Sequence, residues 1–199
     1  MNKKEKFALM LGMLCGDGCL PICHSGEGYR DYKVSFCNTD KRLAALFSDL
    51  FFDLFGIRGK ISVAHRINRK PLYEFWKYSK EIVNNLKEAG FPEGVKRDIL
   101  RVPKIIFKGS KKEKAMFIYG FLITDGSLRK KGDILFHSGS KLFLEDLSLL
   151  ISAFTGSKKP IREYVQREVY RSYQLNLNKG ETEKLLAVCR RGTMVLRSP

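Results

Sequence analysis

The sequence predicts an α+β fold of two related halves, each running αββαββα, packed on one another through a matched pair of helices. One stretch is written twice: Lys3 to Leu20 reads KKEKFALMLGMLCGDGCL and Lys111 to Leu128 reads KKEKAMFIYGFLITDGSL, nine of 18 positions being identical at a constant offset of 108. Internal self-similarity of this kind dictates architecture. Behind each copy, strand-like and helix-like patterns recur in the same order, now at an offset of 100: Phe36 with Phe136, Lys41 with Lys141, Tyr73 with Tyr173. The loop after the first copy is therefore eight residues longer. Finally, 199 residues with 44% hydrophobic and 12% aromatic side chains suffice for one substantial domain or two small fused halves.

Each repeated stretch reads as a helix. Apolar residues fill nearly every position from Phe7 to Cys15 and from Ala115 to Ile123, which predicts burial on most sides. A glycine in mid-helix costs about 1 kcal/mol relative to alanine. The matched Gly12 and Gly120 make sense if the two helices pack closely where no Cβ intervenes. Gly18 and Gly126 are expected to stop the helices in the left-handed conformation. Just before each stop stands an acid, Asp17 or Asp125. A carboxylate there faces the negative end of the helix dipole. Two such carboxylates brought together call for a cation, and a divalent metal is the natural candidate.

The other elements follow in order. Cys19 to Gly28 is hostile to helix, holding Pro21, Gly26 and Gly28. Tyr29–Cys37 alternates as a strand, with Tyr32, Val34 and Phe36 on one face and Asp31, Lys33 and Ser35 on the other. Thr39-Asp40 signals an N-cap for a helix over Lys41–Phe55, closed by Gly56. Lys60–Arg66 and Leu72–Tyr78 read as strands, with Ile61 and Val63 inward and Lys60, Ser62 and Arg66 outward; Ser79–Ala89 reads as a helix. The first half gains its full strand count if Tyr29–Cys37 pairs with the segment before it. In the second half, strands are expected over Asp133–His137, Pro160–Tyr170 and Ser172–Asn178. Helices are expected from Ser140 to Phe154 and over Glu181–Cys189. The domain division is 1–95, a linker 96–110, and 111–199. The joining region from Phe91 onward is rich in Pro, Gly, Arg and Lys, including Pro92, Arg97, Arg101, Pro103 and Lys104.

Charge narrows the function. Lysine and arginine number 37 against 21 acids, a net +16, which repels itself unless a polyanion is near. Nucleic acid is the favoured partner. No apolar run approaches the roughly 20 residues of a membrane span, so no membrane partner is expected. The basic-then-apolar start runs into the first Asp-Gly without a small-residue cleavage site, so an intracellular protein is expected rather than an exported one. Five cysteines, an odd number, argue against a disulfide framework. Cys15, Cys19, Cys23 and His24 have a spacing open to zinc, but Gly18 and Pro21 break any helix that would align them. Free thiols are the better reading. The three histidines, His24, His65 and His137, are too few for a His-metal nuclease, although His137 falls near the expected site.

MLGMLCGDG (Met10 to Gly18) and IYGFLITDG (Ile118 to Gly126) resemble the two motifs of the LAGLIDADG homing endonucleases in their single-chain form. The first acid of the family motif is replaced by Cys15 and Ile123, while the second, which the family uses to bind metal, is kept in both copies as Asp17 and Asp125. The resemblance implies two sheets joined through the motif helices into a saddle for duplex DNA. It also implies a site-specific double-strand break by Mg2+-dependent hydrolysis, with Mn2+ as a substitute and Ca2+ supporting binding without cleavage. Asp17 and Asp125 are the implied metal ligands, with the backbone carbonyls of Gly16 and Thr124. Asn38 and Ser138 stand where the family places a polar residue that orients water. RVPKIIF resembles the segment before the second motif in intein-type members of the family, where a lysine of this region joins the basic pocket beside the metals; Arg101, although not a lysine, is the matching position. One chain supplies two motifs, so a monomer is expected. An intron maturase bound to host intron RNA, and a catalytically silent DNA-binding regulator, are the alternatives on the same scaffold.

The outward sheet faces are the implied DNA contacts. In the first half these are Arg30, Lys33 and Ser35, then Lys60, Ser62 and Arg66, then Arg69, Lys70, Glu74 and Trp76. In the second they are Arg129, Lys130 and Lys131, then Arg162, Tyr164 and Gln166, then Arg171, Gln174, Asn176 and Asn178. Basic side chains would hold phosphates and polar ones read base edges in the major groove. Two sheets of about 20 Å each in series cover roughly a dozen base pairs or more.

Overall fold

A computed structural model describes residues 1–24, 30–65, 67–166 and 170–190, the side chains of 23, 24, 30, 166, 170 and 190 excepted. Its centre is the pair of repeated helices, α1 (Lys3–Asp17) and α5 (Lys111–Asp125). Both start on matching caps. Asn2 accepts from Glu5 N and Glu5 returns a bond to Asn2 N, a capping box; Ser110 accepts from Glu113 N in α5. Neither helix has a polar face in its middle. Leu9 to Gly16 and Ala115 to Ile118 are buried throughout.

The glycine reading of this contact is correct. A Cβ on Gly12 would lie against Phe117 O and 2.9 Å from Phe121 N; one on Gly120 would lie against Leu9 O and 3.0 Å from Met13 N. Leu9 and Met13 are the 108-offset equivalents of Phe117 and Phe121, so the contact is its own pseudo-two-fold image. The helix stops differ from expectation. Gly18 (φ −96°) and Gly126 (φ −97°) are extended, not left-handed, and lead straight into strands. Glycine is needed there for space, since a Cβ would come within 2.7 Å of Leu14 Cα or 2.8 Å of Leu122 Cα. The left-handed stops are Gly56 (φ 70°) and Gly156 (φ 84°).

The second half runs α5, β6 (Gly126–Leu128), β7 (Ile134–Ser138), α6 (Lys141–Thr155), β8 (Ile161–Gln166), β9 (Tyr170–Leu177), α7 (Lys179–Arg190). That is αββαββα, with sheet order β6-β7-β9-β8. The first half runs α1, β1 (Gly18–Cys19), β2 (Ile22–His24), β3 (Arg30–Asn38), α2 (Lys41–Phe55), β4 (Lys60–Ala64), β5 (Leu72–Tyr78), α3 (Lys80–Glu88). Its order is β1-β3-β5-β4, and β2 also pairs with β3. The helix-hostile loop thus supplies two short strands: Gly18 pairs with Phe36, and Ile22 with Tyr32. The expected ends at Tyr29, Arg66 and 167–169 lie outside the described residues.

One face of each sheet packs on helices. Phe36, Phe47, Phe51 and Phe75 cluster in the first half, and Phe117, Phe121, Phe136 and Phe143 in the second. Ile61 and Val63 share the inner face with Phe75, yet each stays 45% exposed. β4 is an edge strand, and within this sheet α2 packs on β3 and β5 and α3 on β3. The joining segment carries a short helix, α4 (Lys104–Lys108), and ties onto the second half. There the buried Ser140, which caps α6, donates its hydroxyl to Leu100 O at 2.8 Å, and Arg97 donates to Arg171 O at 2.9 Å.

Candidate metal centre and nucleic-acid interface

Because α1 and α5 cross through their glycines and end at the same level, Asp17 and Asp125 meet at one edge of the two sheets. They are near enough to interact electrostatically. Loss of hydration, reinforced by the Asp17 charge, pushes the Asp125 carboxyl up to about 6, against the opposing pull of Lys96. Loss of hydration also raises Asp17, opposed by its hydrogen bond from Asn38 and by Lys96. Both shifts are set first by lost hydration of the charged form.

The polar supports are unequal. Asn38 and Ser138 each end a strand and each accept from a backbone N–H two residues on, Asp40 N at 2.6 Å and Ser140 N at 3.1 Å. Asn38 has an amide left over, and its Nδ2 donates to Asp17 Oδ2 at 2.5 Å. The Ser138 hydroxyl has no such reach. Among the described residues it makes no hydrogen bond to Asp125. His137 points outward on β7 and is exposed.

Arg101 is not beside the carboxylates. Its guanidinium forks onto Asp146 at 2.6 and 2.7 Å on the outer surface, because Asp146 of α6 lies under the joining segment and also accepts from Val102 N. The basic group that does arrive is Lys96. Its Nζ donates toward Leu14 O (2.8 Å), Cys15 O (2.8 Å), Gly18 O (2.7 Å) and Gly16 O. Burial lowers its pKa while the Cys15, Asp125 and Asp17 charges oppose that. Sequence reasoning chose Arg101 and missed Lys96: the resemblance implied a lysine from this region, but Lys96 is one cation among many in a Pro/Gly-rich stretch and nothing local marks it.

The donor set suits a hard cation. Two carboxylates and the carbonyls at the ends of α1 and α5 are all oxygen ligands, while Asn38, whose oxygen accepts from Asp40 N, turns its NH2 to Asp17. Mg2+ is characteristically held by one or two carboxylates, with substrate phosphates and water completing the shell. Zinc has no comparable site: among the described residues no group of three or more His, Cys, Asp or Glu converges. Cys15 and Cys189 are buried free thiols, burial pushing each up to about 12. Cys19 and Cys37 are half-buried free thiols, and the Cys23 side chain lies outside the described residues.

Flanking the carboxylates are the outward sheet faces. In the first half, Trp76 is bracketed by Lys33 and Lys60, their ammonium groups 5.9 and 5.2 Å from its ring centre. Lys33 also pairs with Glu74 at 2.8 Å. Ser62, Arg69 and Lys70 are exposed. Ser35 differs from expectation: it is 4% exposed, its hydroxyl 3.6 Å from Cys19 Sγ and 3.9 Å from Cys37 Sγ, and no base edge can reach it. The Arg30 side chain and Arg66 lie outside the described residues. In the second half, Arg162, Tyr164, Arg171 and Asn176 are exposed and Gln174 half-buried. Arg129 reaches Asn176 (3.2 Å) and Asp133 (3.3 Å), and Arg171 approaches Glu163 (3.7 Å). Lys130 and Lys131 stand exposed in the β6–β7 turn. Asn178 is committed elsewhere: it accepts from Glu181 N at 3.0 Å at the start of α7. The side chain of Gln166 is outside the described residues.

A family model of the LAGLIDADG-like domain matches residues 112–188. Among curated proteins, the chain is 26% identical over 183 residues to a probable translation initiation factor IF-2 of Methanocaldococcus jannaschii, covering 89% of this chain and 14% of that protein. The chain thus spans about one seventh of its relative's length. Among solved structures, the fold is similar to I-DmoI in complex with DNA and Mn, with TM-score 0.72 and 19% identity over 97% of this chain and 100% of that one. It is also similar to I-DmoI with DNA and Ca, with TM-score 0.69 and 20% identity over 94% and 90% of the two chains. The N-terminal LAGLIDADG domain of DUF199/WhiA matches with TM-score 0.61 and 13% identity over 100% and 85%. Residues 112–188 thus match a LAGLIDADG-like domain, and the whole chain has the fold of the homing endonuclease I-DmoI, with two pseudo-symmetric halves.

Proposed function

We propose that the protein is a site-specific homing endonuclease that makes a double-strand break in a long DNA target by divalent-metal-dependent phosphodiester hydrolysis. The observation that carries this reading is the meeting of Asp17 and Asp125 at the ends of two glycine-packed helices, between two basic sheet faces. I-DmoI, whose fold this is, is known with DNA together with Mn or Ca, which supports DNA as partner and a divalent ion as cofactor; Mg2+ is the ion we expect. Among the described residues no helix is long and apolar enough to cross a membrane. We infer a monomer acting inside the cell.

Asp17 with Gly16 O, and Asp125 with Thr124 O, would hold the ions. A divalent ion bound there lowers the pKa of a water and stabilises the leaving oxygen. The chain's own residues do the rest. Asn38 fixes the rotamer of Asp17. The lysines and arginines of both sheets seat the phosphates, so the scissile groups fall on the two carboxylates, one per strand. Trp76, Gln174 and Asn176 face the groove. A catalytically silent DNA-binding protein is the second reading, favoured by one observation: Lys96 already occupies Gly16 O, a carbonyl the first ion needs.

The test is plasmid cleavage in Mg2+ with a substrate carrying the uninterrupted target, beside anisotropy titration in Ca2+. Asp17→Asn and Asp125→Asn should each abolish double-strand cleavage, leaving nicking at most, with DNA binding retained. Normal cleavage by either variant would falsify the assignment. An inactive parent that still binds DNA selects the silent reading. Binding to host intron RNA without DNA cleavage selects the maturase.

A further inference from the structure

The ammonium of Lys96 has three N–H groups, yet four backbone carbonyls surround it: Leu14 O, Cys15 O, Gly16 O and Gly18 O. These are the last carbonyls of α1 and the turn beyond it, where a helix end leaves acceptors short of intrahelical donors; Leu14 O also accepts from Gly18 N. The same ammonium interacts electrostatically with Asp17, Asp125, Cys15 and Cys19. An all-oxygen shell on a unit positive charge, beside two acids, is the shell of a bound cation. The second motif has no equivalent. Lys96 precedes the second repeat, and among the described residues no lysine reaches the carbonyls that end α5.

We propose that Lys96 is a built-in counter-ion of the first motif, which offsets part of the charge of the paired acids in the metal-free protein and must withdraw before a divalent ion can bind at Asp17. The proposal rests on the metal-dependent reading above and concerns only how the first ion enters. Gly16 O cannot serve both cations, and two positive charges cannot share one oxygen shell without strong repulsion. Lys96 acts on the Asp125 charge too, but among the described residues no ammonium occupies the carbonyls that end α5, so the site at Asp125 fills first. Lys96 is therefore a positioning residue: it shapes the metal-free site and sets the order of loading.

Two measurements test this. Calorimetric titration with Ca2+ compares the parent with Lys96→Gln, which keeps an amide to donate to the carbonyls and removes the charge. The variant should bind the first-motif ion about tenfold more tightly or better, and should melt lower than the parent without metal. The second measurement needs no variant. Lys96 should react slowly with an amine-acylating reagent in EDTA and several-fold faster in saturating Ca2+, read by peptide mass spectrometry. Asp17→Asn should erase the Ca2+ effect. Equal or weaker Ca2+ binding by Lys96→Gln, or acylation of Lys96 indifferent to Ca2+ in a parent that binds it, overturns the proposal and leaves the nuclease reading standing. Failure of parent and variant alike to bind Ca2+ overturns both.

Discussion

Consider Gly12→Ala. On an exposed helix this change stabilises, by up to about 1 kcal/mol, because alanine is the better helix former. At Gly12 the new Cβ would lie against Phe117 O and 2.9 Å from Phe121 N. Both obstacles are backbone atoms of α5, so no side chain can rotate away and the helices must separate. Overpacking of this kind costs about 1–3 kcal/mol, and rigid backbone puts it at the upper end. Subtracting the propensity gain leaves a net loss of about 2 kcal/mol, or a fall in Tm of about 4–8 °C for a chain of this size. Gly180→Ala is the control. Gly180 is exposed in α7, where a Cβ would lie 3.7 Å from Asn178 Oδ1, and the same substitution should stabilise there. Paired urea and thermal melts of the two variants read the contrast. A Gly12→Ala protein at least as stable as the parent would refute the claim that the helices meet backbone to backbone.

Two further outcomes are expected. The Asp125 carboxyl titrates near 6 when folded against 3.8 for the ordinary group, so between those values the folded protein holds a proton that the unfolded chain has released. Its contribution to metal-free stability is therefore full below about pH 4 and is lost as pH rises through 6. Urea midpoints in EDTA should fall across that window, and Asp125→Asn should flatten the fall; a midpoint rising through the window in the parent alone contradicts the raised acid. DNA affinity should drop steeply with salt, each neutralised phosphate adding about 0.9 to the slope of log affinity against log salt. A slope near zero by anisotropy removes the basic sheet faces from the interface.

Much of the fold was legible because its signals are local and written twice. The repeat at Gly12/Asp17 and Gly120/Asp125 marks two equivalent helices, and alternation in stretches such as Tyr173–Asn178 marks a strand with one buried face. Those patterns depend only on chain period and on the need to bury apolar surface. Local sequence misled where a neighbour in space made the choice. Gly18 and Gly126 look like left-handed stops, but strand pairing with Phe36 and Phe136 holds them extended. Ser35 alternates outward, yet the thiols of Cys19 and Cys37 close over it. Arg101 sits where the resemblance puts a pocket cation, yet Asp146 captures it. Lys96, some 80 residues from the carbonyls it reaches, carries no mark in its own stretch. Sequence by itself determined the two helices, their glycines and their acids, because each follows from residues a few positions apart. Tertiary structure alone decided which cation meets those acids, because charges act through space and the partner of a buried carbonyl is whichever donor the fold brings to it.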